Sequence, residues 1–139
     1  MQMVNIPMNQ TEFEQAIIAA LCTAPGSISE KLIAQANHIN VEKRESSDQG
    51  FFTYFSLEYP DENKLGLANF TLGDVEIICN GIRNAIGVVL IIRDGVIFCL
   101  EGYTLLADHW PSEYIDIEII KKEGKDIKTL QQVQDDLSN

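Results

Sequence analysis

The stretch Gly87–Tyr103, GVVLIIRDGVIFCLEGY, constrains the fold more than any other part of the chain. Two apolar runs rich in Val, Ile, Leu and Phe flank Arg93-Asp94-Gly95. Asp-Gly is the favoured pair for a type I′ turn, in which both central residues take φ > 0 and the turn's twist matches that of the strands. The segment predicts a tight antiparallel hairpin. A two-residue loop at Asp94-Gly95 sets Ile92 opposite Ile97, Leu90 opposite Cys99 and Val88 opposite Glu101 on one face. On the other face it sets Arg93 opposite Val96, Ile91 opposite Phe98 and Val89 opposite Leu100. Both faces are apolar, which predicts central strands of a sheet covered on both sides. Each fully buried large aliphatic contributes about 1.5–3 kcal/mol, so the hairpin is expected to supply most of the core.

Upstream the periodicity is helical. Thr11-x-x-Glu14 reads as a capping box opening a helix with Phe13, Ile17, Ile18 and Leu21 on one face. Ala24-Pro25-Gly26 stops it. Ser27-x-x-Glu30 reads as a second box, opening a helix with Ile28, Leu32, Ile33 and Ala36 on one side. Together they form an αα-hairpin. Residues 1–9 read as an irregular arm. From Ile39 the period becomes two. Strands are predicted at Val41–Glu45 and Phe51–Glu58, the latter with aromatics on both faces. A third falls within Phe70–Asn80, and a last one at Tyr114–Lys121 with Ile115, Ile117 and Ile119 inward and Asp116 and Glu118 outward. Residues 59–63 and 108–112 read as loops. Ile127, Leu130, Val133 and Leu137 mark a short C-terminal amphipathic helix. The expected architecture is a single α+β domain over residues 1–139: an N-terminal αα-hairpin packed on a mainly antiparallel, strongly twisted sheet of about six strands.

At 139 residues and 45% apolar, the chain can bury a core without staples. Cys22, Cys79 and Cys99 form no C-x-x-C pair, and each lies among apolar residues. They read as free buried thiols of a reducing compartment. The first residues carry no Lys or Arg before an apolar stretch, so no secretory signal is predicted. The longest apolar stretch is broken at residues 93–95, too short for a membrane span. A soluble, cytoplasmic protein is expected.

Net charge is −11, and its distribution is uneven. Residues 45–118 hold thirteen acids against three bases, Lys64, Arg83 and Arg93. Such a surface repels phosphate backbones, which argues against nucleic acid as a partner. It attracts a basic protein and speeds the encounter.

Motifs for nucleophilic, nucleotide-binding or zinc-protease chemistry are absent from the sequence. No cofactor is predicted. Of the two histidines, His38 closes the second helix, where a cation is favourable, and His109 sits in a loop beside Asp108 and Trp110. A zinc site would need at least three ligands; His109, Cys79 and Cys99 could meet only if the loop folded back over the sheet, so no metal is predicted. Glu101 is the acid of greatest interest: it ends an apolar run, and Gly102 beside it permits close backbone approach or a bulge. Glu101, Asp108 and His109 are the candidate catalytic residues. Phe52, Tyr54, Glu58, Glu76, Asp116 and Glu118, from the outward faces of predicted strands, are the candidate partner-binding residues.

Several short segments, taken in order, resemble a group of small bacterial proteins of unknown function. They are Val41-Glu42-Lys43-Arg44-Glu45, Gly50-Phe51-Phe52-Thr53-Tyr54-Phe55, Gly73-Asp74-Val75, Arg93-Asp94-Gly95, Leu100-Glu101-Gly102-Tyr103-Thr104 and Trp110-Pro111. The resemblance implies a free-standing cytoplasmic bacterial α+β protein and assigns no catalytic residue. Size and acidity also resemble toxin-immunity proteins. Three functions follow as expectations. One is a small acidic binding module, such as an immunity protein that neutralises a basic toxin. Another is a homodimeric or larger structural assembly joined through an edge strand or an exposed aromatic. The last is a carboxylate-based hydrolase using Glu101, Asp74, Glu76, Asp108 and His109 with a hard metal cation.

Overall fold

The predicted hairpin forms and lies in the middle of a seven-stranded sheet. The computed structural model describes residues 7–58, 60–80, 82–105, 108–122, 130, 132 and 133. In chain order these comprise α1 (Gln10–Cys22), α2 (Ser27–Ala36), β1 (Ile39–Ser47), β2 (Gly50–Leu57), α3 (Pro60–Asn63), β3 (Phe70–Leu72), β4 (Val75–Ile78), β5 (Ile86–Arg93), β6 (Val96–Tyr103) and β7 (Glu118–Lys121). The sheet order is β1-β2-β6-β5-β4-β7, with β3 also paired to β5, and every pairing is antiparallel. The chain is α+β, with an N-terminal helical hairpin packed on an antiparallel sheet. No described helix is long and apolar enough to cross a membrane.

Asp94 and Gly95 have φ of 51° and 80°, as a type I′ turn requires. Arg93 faces Val96 and Ile92 faces Ile97, as expected. The register then slips by one: Ile91 faces Cys99, Leu90 faces Leu100, Val89 faces Glu101 and Val88 faces Gly102. Phe98 is the extra residue of a β-bulge, which shifts every later partner along the strand. The expected pairs Leu90–Cys99, Val88–Glu101, Ile91–Phe98 and Val89–Leu100 are therefore replaced.

Among the described residues the sheet is covered on one face, not both. Ile86, Val88, Leu90 and Ile92 of β5 join Ile97 and Leu100 of β6, Phe51 and Phe55 of β2, and Phe13, Ile17, Ile18, Leu21 and Leu32 of the helices in one core. Val89 and Ile91, on the opposite face, are half-buried. On β2 the same split holds: Phe51, Thr53 and Phe55 are buried, Tyr54 is half-buried and Phe52 exposed.

Local signals were shifted in several places. The capping box of α1 is Asn9 and Glu12: the Asn9 side chain accepts from the Glu12 N–H at 2.8 Å, and Glu12 accepts from the Asn9 N–H at 3.1 Å. Thr11 and Glu14 lie inside the helix. The N-cap of α2 is Gly26, without a side-chain cap bond, so Ser27 and Glu30 form no box. In α2 the buried residues are Ser29, Leu32 and Gln35, while Ile33 is 40% exposed. Gln35 is buried because it ties α2 to the turn: its Nε2 donates to the Asn63 and Gly95 carbonyls at 2.6 and 2.9 Å, and its Oε1 accepts from the Ile97 N–H at 2.8 Å. The predicted third strand splits into β3 and β4 at Gly73-Asp74. Residues 60–63 form the short α3 rather than a loop. The last strand begins only at Glu118, because Asp116 takes φ 54° and breaks the extended run. Most of the predicted C-terminal helix lies outside the described residues; Leu130, Gln132 and Val133 are helical, and Leu130 and Val133 are buried in the core.

Gly102 marks a close approach rather than the bulge. A Cβ there would lie 2.4 Å from Phe51 Cε1 and 2.7 Å from Trp110 Cη2, inside an edge-packed aromatic pair whose centroids are 5.2 Å apart. Gly102→Ala should destabilise the fold by about 1–3 kcal/mol, the usual cost of overpacking a filled core. A lowered urea midpoint at unchanged m value would register it.

Candidate functional site

Antiparallel pairing puts facing side chains on one side of a sheet, so the registers define the composition of the uncovered face. One row runs Glu45, Phe52, Glu101, Val89 across β1, β2, β6 and β5. The next runs Lys43, Tyr54, Cys99, Ile91, with Thr71 of β3 beyond. A third runs Tyr103, Gly87, Glu76, Ile120. The ring of Tyr103 lies where a side chain on Gly87 would otherwise stand.

Three aromatic rings follow one another along this face. Phe52 and Tyr54 are stacked at 6.3 Å, and Tyr54 meets Phe98 edge-on at 5.7 Å. The Arg93 guanidinium sits 4.0 Å from the Phe98 centroid and Lys43 Nζ sits 4.9 Å from that of Tyr54. Two rings thus already hold a cation. Phe52 holds none among the described residues, and carboxylates flank it on both sides, Glu45 from β1 and Glu101 from β6. At ~4.8 Å between neighbouring strands, a cation over Phe52 would stand within reach of both. Glu45 is bridged to Lys43 at 3.0 Å; Glu101 has no ion pair among the described residues. A groove of about 370 Å³ opens here, its lining including Glu45, Ser47, Gly50, Phe52, Glu101 and Tyr103.

The other residues singled out in the sequence divide around this face. Tyr54, Glu76 and Glu118 share it with Phe52: Glu76 lies on β4, 3.5 Å from Lys122 Nζ, and Glu118 pairs with the exposed Ile78. Glu58 lies past the end of β2 and Asp116 precedes β7, so neither is on a strand. Asp108 and His109 lie elsewhere. Asp108 Oδ2 accepts from the Asn84 side-chain amide at 2.9 Å and its N–H at 3.3 Å, pinning the turn before β5. His109 Nδ1 lies 2.6 Å from Asp48 Oδ2 on an exposed surface. His109 lines a second cleft, of about 320 Å³, with Trp110, Glu113 and Ile115, and Glu101 is not part of it. Among the described residues no three His, Cys, Asp or Glu side chains converge to hold a metal ion.

The burial of two acids escaped the sequence reading. Glu14, read as a capping residue, lies between α1 and the sheet. It accepts from Arg44 Nη2 at 2.7 Å and Nε at 3.1 Å, from Gln10 Nε2 at 2.9 Å, and from the Thr53 hydroxyl. The bonded carboxylate holds the Arg44 guanidinium above its ordinary pKa. Asp74, grouped with the candidate acids, is buried on the helix side of the sheet. Lys121 Nζ bridges its Oδ2 at 3.2 Å to the Ala20 carbonyl at 2.6 Å, near the C-terminal end of α1, a favourable place for a cation. Asp74 and Glu76 therefore face opposite sides, so the acids proposed for hydrolysis are not gathered in one place.

The three cysteines are free and buried. Burial pushes Cys22 up to about 12 and Cys99 up to about 11, and raises Cys79. Comparison with protein-family models, with curated proteins and with solved structures finds no match for this chain.

Two outcomes follow. Arg44→Ala leaves a buried carboxylate without its cation. The loss should be about 2 kcal/mol, below the ~3–5 of a wholly buried pair because Arg44 is partly exposed to water, whereas Lys43→Ala, in a fully exposed pair, should leave the urea midpoint almost unmoved. For the thiols, the unfolded chain ionises near 9.0 while native Cys22 keeps its proton until about 12. Stability should therefore fall as pH rises through that window. Iodoacetamide at the foot of the window should label the native protein slowly and the urea-unfolded protein fast.

Proposed function

We propose that this chain is a binding module for a basic protein, and that it receives a cationic side chain of its partner over Phe52, between Glu45 and Glu101. The observation that carries this reading is the unequal treatment of the three rings. Tyr54 and Phe98 are each capped by a cation of the same chain, while Phe52 is exposed and bordered by carboxylates. A cation over an aromatic face is worth about 0.5–1 kcal/mol when exposed and more when desolvated; Glu101 would add a charge-assisted contact.

The net charge of −11 adds long-range attraction for a basic surface and speeds encounter. The most specific form of this reading is an immunity-type protein that neutralises a basic toxin. Three of the segments that resemble small bacterial proteins, 41–45, 50–55 and 100–104, supply Glu45, Phe52, Glu101 and Tyr103, so the resemblance and the groove draw on the same residues.

A defined probe tests the site without knowledge of the partner. Titration with a nona-arginine peptide at low salt, followed by amide chemical shifts, should move Glu45, Phe52, Glu101 and Tyr103 first. Glu101→Gln and Phe52→Ala should each weaken binding about tenfold, equivalent to ~1.4 kcal/mol. Glu30→Gln on the far side, in α2, removes the same charge and should change little. Shifts scattered over the acidic surface, or equal losses for Glu101→Gln and Glu30→Gln, would show that the peptide senses net charge only and would overturn the reading.

A further inference from the structure

β1 is an outer strand of the sheet, and no described strand lies on its far side. It has nine residues, all exposed after Ile39, against about five or six for an ordinary strand. Such an edge offers a row of unpaired N–H and C=O groups to another strand. Natural edges are commonly blunted by charge, proline or a bulge; this one has an irregularity between Val41 and Lys43, and the charges it carries are of both signs, Glu42-Lys43-Arg44-Glu45.

The order of those charges selects one partner and one register. Beyond the irregularity between Val41 and Lys43, the strand pairs with β2 without interruption to Ser47. Lys43 and Glu45, opposite Tyr54 and Phe52, lie on the open face; Arg44, opposite Thr53, lies on the helix side with Glu14. Two identical strands pair antiparallel about a twofold axis normal to the sheet. That axis leaves both open faces on the same side, so facing residues must share a face and the axis must pass through a residue. Through Lys43 it would oppose two lysines, and through Glu45 two glutamates. Through Ser46 it brings no opposite charges together. Through Arg44 it opposes two guanidiniums on the helix side, each already neutralised by its own Glu14, and on the open face it sets Lys43 against the second copy's Glu45, and Glu45 against its Lys43. Opposite charges directly across a ladder stabilise it and like charges destabilise it.

We infer that β1 is a self-pairing edge, joining a second copy of this chain antiparallel about Arg44 so that the two sheets become one. Pairing one strand edge buries far less than the ~1,600 Å² of a standard interface, so the dimer is weak and forms at high protein concentration. It shares Glu45 with the cation groove but needs neither the ring of Phe52 nor the carboxylate of Glu101, so variants at those two residues separate its failure from that of the groove.

Sedimentation equilibrium of the full chain, up to sub-millimolar concentration, tests it. The wild type should show a concentration-dependent monomer–dimer equilibrium. Lys43→Glu and Glu45→Lys each put like charges across the axis and should weaken dimerisation at least tenfold. The double variant Lys43→Glu/Glu45→Lys restores opposite charges and should recover the wild-type constant, and Phe52→Ala should retain it. Circular dichroism verifies that each variant is folded. A monomer at every concentration overturns the proposal, as do single variants that dimerise like the wild type or a double variant that does not recover.

Discussion

The reversal at Asp94-Gly95 determines where the rest of the molecule lies. It is held from outside the hairpin as well as by its own φ angles. The Gly95 N–H donates to the Ala68 carbonyl at 2.8 Å, and the Gly95 carbonyl accepts from the Leu65 N–H at 2.9 Å. Asn69 Oδ1 accepts from the Asp94 N–H at 2.9 Å. Gln35 reaches the same carbonyl and the Ile97 N–H from α2. A side chain at Gly95 would stand 2.4 Å from the Gly66 carbonyl oxygen, in a left-handed conformation that glycine adopts without penalty. The turn is thus a junction of α2, the segment before β3 and the two central strands. Buried backbone groups require partners, and here a buried Gln supplies them, which explains why a polar residue occupies the centre of the α2 contact.

The bulge at Phe98 is the second constraint. Without it, Glu101 would share a side with Ile97, which is fully buried against the helices. An unpaired carboxylate there would be costly to desolvate. One extra residue turns Glu101 to the open side and brings Gly102 under Phe51 and Trp110, where only a hydrogen fits. It also leaves Phe98 beside Tyr54 and beneath Arg93. The same insertion therefore closes the core and assembles the aromatic row on the opposite face.

These particulars show what the sequence carried. The turn, the centrality of its strands, the helical hairpin before the sheet and the free buried thiols were legible, because each rests on a local signal: a Asp-Gly pair, periodicity, Pro-Gly, isolated cysteines in apolar runs. The bulge was not, since nothing in VIFCLEGY distinguishes a residue that slips from one that pairs, and one slip exchanges the faces of all that follow. The capping signals were displaced because Asn9 serves as an N-cap as well as Ser or Thr would. Glu14 carried no sign of burial, since its partners Arg44 and Thr53 are far along the chain. At the open face, Phe52 and Tyr54 could be singled out from alternation; Glu101 stood out as the acid ending an apolar run, but alternation set it beside Ile97, on the face that is covered. That Lys43 and Arg93 would cap two of three rings depends on strand order, which no local pattern specifies.

The acidic surplus is also organised, in a way that counting charges hides. The buried acids Glu14 and Asp74 have bases of their own, Arg44 and Lys121, and Glu45 and Glu76 have Lys43 and Lys122. All four bases lie outside the acidic span 45–118 in sequence, and three of them, Lys43, Lys121 and Lys122, return to its acids in space, so the surplus is smaller at the sheet than the linear count implies. Charges that bridge elements of the fold are neutralised, and the acids without an ion pair among the described residues include Glu101 in the groove and Glu113 beside the second cleft. Glu101 lies half-buried beside an exposed ring and, among the described residues, lacks the counter-charge that Glu14, Glu45, Asp74 and Glu76 have. A cation arriving from another molecule would supply a counter-charge there, which is why the groove at Phe52, rather than the more numerous, fully solvated acids around it, is the site proposed for recognition.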